Sequence, residues 1–251
     1  MIQLTNKTAV ITGASRGIGA AVAKKLAQCG ANVALLARSE EDINSLAAEI
    51  GKQALPIACD VSNYSDVKRA ITQCAEHFGG VDICVNNAGI IDPIARIENS
   101  DPVHWGQVVD INVKGVYYCL HAVYPYLKDR GGVIINLSSG AAVNALEGWS
   151  HYCATKAAVL SLTKCANKEW ASQGIRVVGL SPGTVATSMQ EVIKESGINF
   201  VSQMDWSAHI PVEDVAQAVA WLTQSESSEF DGQDFSLKTP EGRIAAGLAP
   251  L

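Results

Sequence analysis

Short β-branched runs alternate along the chain with stretches in which apolar residues recur every three or four positions. TAVIT (8–12), NVALLA (32–37), ALPIACD (54–60), VDICVNN (81–87), GVIINLSS (132–139), IRVVGLSP (175–182) and GQDFSL (232–237) read as strands. Helical spacing fills about 17–29, 40–51, 64–78, 101–129, 150–173 and 212–223 between them. Strand and helix in alternation predict a doubly wound α/β fold, a parallel sheet of about seven strands with helices on both faces. Continuous apolar runs such as VVGL and VIINL fit strands buried on both sides. No linker-like or repeated stretch divides the chain, so residues 1–251 are read as one domain.

One stretch breaks the rhythm. Residues 183–211 follow a strand and precede a helix, too long for an ordinary connection of a few residues. Met189, Ile193, Ile198, Phe200, Met204 and Trp206 argue against simple disorder there. Thr187 with Gln190, or Ser188 with Glu191, has capping-box spacing for a short helix. A substrate lid and an extra packing or subunit-contact element are equally weighted readings of this segment.

Composition narrows the function. With 48% hydrophobic and 18% charged residues over 251 positions, the chain buries a full core. A net charge of -6 argues against a nucleic-acid or anionic-membrane footprint and favours small-molecule partners. No run of eighteen apolar residues occurs, and MIQLTNKTAV lacks a basic n-region and long h-region, so a cytoplasmic protein is expected. The seven cysteines (29, 59, 74, 84, 119, 153, 165) contain no CxxC pair and read as buried reduced thiols, with no metal site.

Candidate chemistry starts at TGASRGIG, where the first strand turns into the first helix. Gly13, Gly17 and Gly19 at such a turn let backbone N–H groups meet a pyrophosphate. The spacing is GxxxGxG, and its place after the first strand of a βαβ unit gives it weight. At the end of the second strand, where a dinucleotide fold puts a ribose-binding carboxylate, stand Ala37 and Arg38. Arg38, with Arg16 inside the turn, suits a 2′-phosphate, so NADP(H) is expected over NAD(H).

TGASRGIG, NNAG (86–89), Asn112, Ser139, YCATK (152–156) and SPGTVAT (181–187) together resemble the short-chain dehydrogenase/reductase family over nearly the whole chain. The resemblance implies a Rossmann-type sheet and hydride transfer between a nicotinamide and a carbonyl or alcohol. Chemistry agrees: a phenol acts as acid or base at that oxygen only if its pKa of about 10 is lowered. Lys156, four residues beyond Tyr152 on one helix face, is placed to lower it.

The resemblance further implies that Lys156 bonds the nicotinamide ribose, that Ser139 orients the substrate carbonyl, and that Asn112 holds a proton-relay water. Ser138 is expected to face elsewhere. Gly13, Ser15, Arg16, Gly17, Ile18, Gly19, Arg38, Asp60, Val61, Asn87, Ala88, Gly89, Tyr152, Lys156, Pro182, Gly183 and Thr187 form the implied cofactor set. Asp60 is also an N-cap-like turn residue. Leu146, Glu147, Trp149 and Met189 line the implied substrate side with Ser139, while His151 is read as a surface or substrate-side contact.

The chain departs from the family's ending. GQDFSLKTPEGRIAAGLAPL has no glycine pair after the last strand, so the tail is free to reach a neighbour's cleft, although a dimer or tetramer is still expected. Three functions follow in order: an NADPH-dependent carbonyl reductase or alcohol dehydrogenase, a 3-oxoacyl-carrier-protein reductase, and a non-catalytic nucleotide sensor. The second wants a basic cleft mouth, yet the lid offers only Lys194 against Glu191, Glu195 and Asp205. The third does not need Ser139, Tyr152 and Lys156 together.

Overall fold

The β-branched runs pair as parallel strands whose polar residues collect at their ends. The computed structural model describes residues 2–250. Its strands are β1 (Thr8–Thr12), β2 (Asn32–Ala37), β3 (Ala54–Ala58), β4 (Ile83–Asn86), β5 (Gly132–Leu137), β6 (Ile175–Ser181) and β7 (Asp234–Ser236). They form one seven-stranded parallel sheet in the order β3-β2-β1-β4-β5-β6-β7. The order reverses between β1 and β4, and in such sheets ligands bind beyond the carboxyl ends at that reversal.

Alternation along each strand feeds two cores. On one face Ile11, Leu35 and Ile135 pack with Val22 and Leu26 of α1 (Gly17–Gln28) and Val215 and Val219 of α8 (Val212–Leu222). On the other, Val10, Leu36 and Ile134 meet α3 (Tyr64–Phe78), α5 (Gly115–Leu127) and α6 (Ser150–Trp170). A smaller cluster of Ile91, Ala141, Trp149, Tyr152 and Ile193 sits beyond the strand ends. The expected fold class is therefore present, with α2 (Glu40–Ile50) completing the layer behind β2 and β3.

Several expectations need correction. Most strands end earlier than expected, because Cys59, Asn87, Ser138 and Pro182 leave the ladder to serve the strand ends. The helix expected over 101–129 is two helices, α4 (Pro102–Val109) and α5, joined by a π turn at Asp110–Lys114 that contains Asn112. Residues 183–211 carry α7 (Ser188–Ser196) and two short 3₁₀ turns, tied at the base by a bridge between Val185 and Ile210. Neither capping box forms: Thr187 precedes α7, but its hydroxyl donates to the Val185 carbonyl at 3.3 Å instead of capping the helix.

The seven thiols are free; Cys59, Cys74, Cys84 and Cys119 are buried, whereas Cys165 is exposed, against expectation. Burial pushes the Cys59, Cys74 and Cys84 thiols up to about 12, so they stay protonated and inert.

The tail packs against its own chain over the described residues. After β7 the described residues form α9 (Pro240–Ala245) and fold back on α8. Buried Arg243 donates to Asp214 at 2.7 Å and to the Ala249 carbonyl at 2.5 Å, and Gln217 donates to the Ala246 carbonyl at 3.1 Å. Asp214 keeps some water contact, so Arg243→Ala is expected to cost about 2 kcal/mol, below the range for a fully buried pair. Chemical denaturation checks it, and an unchanged midpoint would mean that the clasp is idle.

Candidate active site

The first strand delivers its glycine turn into a rigid cradle. Gly13 and Gly17 are left-handed (φ +63° and +55°), which favours glycine at both. A Cβ on Gly19 would strike the Gly13 carbonyl oxygen and come within 2.6 Å of Asn87 Nδ2. A Cβ on Gly13 would lie 2.9 Å from Ala88 Cα. The glycines are thus demanded by the chain's own packing as well as by a ligand's approach. Asn87 Nδ2 donates to the Thr12 and Gly13 carbonyls at 2.9 and 3.1 Å, and Thr12 Oγ1 accepts from the Asn87 and Ala88 amides at 3.0 Å each.

Past this turn, α1 opens at Gly17 with Arg16 extended before it, no side-chain cap and no acidic residue in its first turn. Its free N–H groups and dipole suit a pyrophosphate, which is the fit expected for a dinucleotide. Ser15 and Ile18 lie on the same turn, partly exposed. Arg16 and Arg38 are exposed, and neither joins an ion pair among the described residues. Asp60 Oδ1 accepts from the Ser62 amide and hydroxyl at 2.9 and 2.7 Å, the turn role expected of it, while Asn63 caps α3. Val61 packs under Gly115, and Gly89 faces Asn112.

Tyr152 and Lys156 share one face of α6, with Lys156 Nζ 5.5 Å from the Tyr152 ring centre. Both are buried. The ammonium donates to the Leu137 carbonyl at 2.6 Å, at the end of β5. Two residues on, the Ser139 hydroxyl favours the ionised form of the Tyr152 phenol, while its oxygen accepts from the Ala141 amide at 3.2 Å. Burial nevertheless dominates: it pushes Tyr152 up to about 12 and Lys156 down to about 8. The expected lowering of the phenol by Lys156 is therefore not a property of the chain alone, because desolvation outweighs it and the ammonium's hydrogen bond goes to the backbone.

Asn112 is also buried, and its carboxamide is engaged. It accepts from the Ile90 amide at 2.9 Å and donates to the Ile90 carbonyl at 2.9 Å and to Thr155 Oγ1 at 3.2 Å. It thereby ties α6 and the π turn to the segment after β4. Both side-chain donors are used, so a relay water would have to meet other groups of this residue.

The segment 183–211 reaches both halves of this region. At its start, Thr187 Cγ2 lies 3.3 Å from where a Gly17 Cβ would stand, against the glycine turn. Pro182 is buried beside it, and Gly183 (φ +83°) packs under Ile210 and the Lys238 stem. Farther on, Ile193 joins Trp149 and Tyr152, with Met189 and Leu146 packed against them. Asn199 Nδ2 donates to the Glu147 carbonyl at 2.9 Å. Trp149 meets Tyr152 edge to face at 5.6 Å.

His151 corrects the sequence reading. It is fully buried rather than surface-facing, and its Nε2 lies 2.5 Å from the Ile91 carbonyl, which leaves it a structural partner of the segment after β4.

Comparison with known proteins agrees with this geometry. The family description "short chain dehydrogenase" matches residues 7–197. The chain belongs to the short-chain dehydrogenases. An uncharacterized oxidoreductase of Staphylococcus epidermidis is 37% identical over 226 residues, covering 89% of this chain and 94% of that one. A 3-oxoacyl-(acyl-carrier-protein) reductase of the same organism is 36% identical over 236 residues, covering 91% and 96%. Among solved structures, a 3-ketoacyl-(acyl-carrier-protein) reductase of Brucella melitensis, complexed with NADH, superposes with a TM-score of 0.84 at 32% identity, covering 94% of this chain and 98% of that one. A short-chain type dehydrogenase/reductase of Mycobacterium marinum gives 0.86 at 34% identity, covering 94% and 95%. This short-chain dehydrogenase is thus an oxidoreductase of a nicotinamide-using family.

Sequence reasoning missed three things in this dehydrogenase. Thr155, which joins Asn112 to the Tyr152 carbonyl, carries no motif of its own. A buried chain from Asn86 through Asn136 to Thr163 holds β4, β5 and α6 together at 2.8 and 2.9 Å; only two asparagines inside apolar strands signalled it. Asp234, a carboxylate inside a strand, was the third.

Gly19→Ala tests the cradle: overpacking of this kind costs about 1–3 kcal/mol, hence a roughly tenfold or larger loss in dinucleotide affinity. Fluorescence titration with the reduced cofactor reads it, and unaltered affinity would mean that the turn has room to spare.

Proposed function

We propose that this short-chain dehydrogenase reduces a ketone or aldehyde with NADPH, reversibly with the corresponding alcohol. The observation that carries the reading is the gathering of half-buried Ser139 with buried Tyr152 and Lys156 at the strand ends, together with the uncapped glycine turn. In reduction, the Ser139 hydroxyl donates to the carbonyl oxygen as negative charge develops there. Tyr152 delivers the proton that completes the alcohol, and the Lys156 ammonium favours the phenolate left behind. A nicotinamide bound along the glycine turn supplies the hydride equivalent and, once oxidised, a positive charge. Asn112 serves by fixing Ile90 and Thr155 around this pair. Asp60, Val61, Asn87, Ala88, Gly89, Pro182, Gly183 and Thr187 complete the cofactor wall in this reading.

Two exposed cations with no ion-pair partner among the described residues, Arg16 and Arg38, support NADP(H). The NADH in the Brucella relative belongs to that protein. Residues 183–211 are read as a substrate lid of a single domain, its inner face formed by Met189 and Ile193 over Leu146 and Trp149. Such a wall favours a partly apolar substrate. Seven free thiols fit a reducing, cytoplasmic setting. Among the described residues, no helix is long and apolar enough to cross a membrane. Exposed Val103 and Tyr117 on α4 and α5 support a homodimer or tetramer.

The names of two relatives favour a second reading, reduction of 3-oxoacyl groups on a carrier protein. The lid rim speaks against an acidic carrier: Glu191, Glu195 and Asp205 outnumber Lys194, and Arg96 is held by Glu147 at 2.6 Å.

Tyr152→Phe is expected to lower turnover by about a hundredfold or more with cofactor binding kept, since general acids contribute that much. Equal turnover would remove the assignment. Arg38→Ala should weaken NADPH binding by about tenfold and leave NADH unaffected, as for one lost charged hydrogen bond. Of the two titrating groups, Lys156 discharges first as pH rises, near 8, so reductive kcat/KM should fall through that region; a flat profile to pH near 10 would contradict it.

A further inference from the structure

Strand alternation sends Asn136 to the α6 face of the sheet, where it donates to Thr163 at 2.9 Å, and Leu137 to the opposite core. Strands β5, β6 and β7 converge on one carboxylate. Asp234 Oδ2 accepts from Ser138 Oγ at 3.2 Å and from Ser181 Oγ at 2.7 Å. Its other oxygen, Oδ1, is buried with no hydrogen-bond partner. Residue 179 beside it is glycine, where a Cβ would stand 3.0 Å from Oδ1, a tight contact. A partly buried carboxylate with one sequestered, unpaired oxygen is costly unless a cation offsets it.

The cation is one peptide away. Lys156 donates to the Leu137 carbonyl, and the next residue, Ser138, donates its hydroxyl to Asp234. We propose that Asp234 is a positioning residue for Lys156: through Ser138 it fixes the Leu137–Ser138 peptide that holds the ammonium, and its negative charge balances that buried cation.

The other charged groups do not replace it. From α6, Lys164 also acts on Asp234 but is itself exposed. Arg176 on β6 is spent on Asp231 at 2.9 Å. Tyr152 faces Lys156 as a neutral phenol. Burial drives Lys156 down to about 8, and Asp234 works against that shift. Burial raises Asp234 itself, opposed by Ser181, Ser138 and Lys156.

This inference rests on the reading that Lys156 works with Tyr152. Asp234→Asn keeps an acceptor for both serines and removes the charge; Asp234→Ser removes the charge with a smaller side chain. Ser181→Ala keeps the charge and removes one contact. Reductive kcat/KM is measured from pH 6 to 10 for all three, with Tyr152→Phe in parallel, and the Lys156 side chain is titrated by NMR in protein with ¹³C-labelled lysine.

Loss of a neighbouring charge moves a pKa by about one unit, so both Asp234 variants should match the wild type within about twofold at pH 6 and fall about tenfold below it at pH 9. The Lys156 titration should move down by the same amount, and Ser181→Ala should leave the alkaline limb in place. An unshifted limb and Lys156 titration in whichever Asp234 variant folds, or an equal shift in Ser181→Ala, would overturn the proposal. If neither Asp234 variant folds, the carboxylate's role is in folding, and the proposal is overturned as well. Full turnover in Tyr152→Phe would overturn the underlying reading instead.

Discussion

A parallel sheet covered by helices on both faces admits polar side chains inside its strands only where they are hydrogen-bonded and gathers the rest at its strand ends, and this constraint organises the rest of the molecule. Thr12 closes β1, Asn86 and Asn87 close β4, Ser138 and Ser139 follow β5, and Ser181 closes β6. Their hydrogen bonds are spent on one another and on the glycine turn, so the region that meets ligands is stiff before any ligand arrives. Stiffness at a reaction site is itself useful, because donors already aimed need no reorganisation as charge develops.

Desolvation then sets the chemistry. Water is excluded from Tyr152 and Lys156, and the chain's own environment holds both toward their neutral forms. Phenol and amine are thus opposed by the same cause in opposite directions. The site compensates with local donors and charges rather than with solvent: a serine hydroxyl on the phenol, a backbone carbonyl on the ammonium, and a carboxylate behind that carbonyl. The first two come from the turn after β5 and the end of β5, and the third from β7, so both strands must be assembled against α6 before the pair acquires its character.

Much of this was legible in the chain. The alternation of runs specified all seven strands, because burial on both faces demands continuous apolar residues in segments such as VVGL and VIINL. Spacing placed Tyr152 and Lys156 on one helix face, since that relation is local. What stayed hidden was long-range or conformational. The π turn at Asp110–Lys114 follows from tertiary packing of Asn112 against Ile90 and Thr155, which no helical periodicity encodes. His151 reads in the sequence as a surface or substrate-side contact, yet a carbonyl sixty residues earlier takes it inside. Asp234 lies in a short edge strand, and its meaning depends on two serines and a glycine contributed by other strands. Capping boxes matched in spacing at Thr187 and Ser188 failed because the hydroxyl of Thr187 found a nearer carbonyl.

The segment between β6 and α8 touches two neighbourhoods that the sheet keeps apart. Its first residues rest on Gly17 at the dinucleotide turn, and one helix later Ile193 and Ile198 rest on Trp149 and Gly148. A single short helix spans the distance. Any shift of α7 is therefore felt at both ends, and thermodynamic reciprocity makes the affinities of the two ligands depend on each other by one and the same factor. On the proposed function, occupancy of the nucleotide side and selectivity on the carbonyl side become a shared property of the nine residues of α7, so exchanging them to alter one redefines the other.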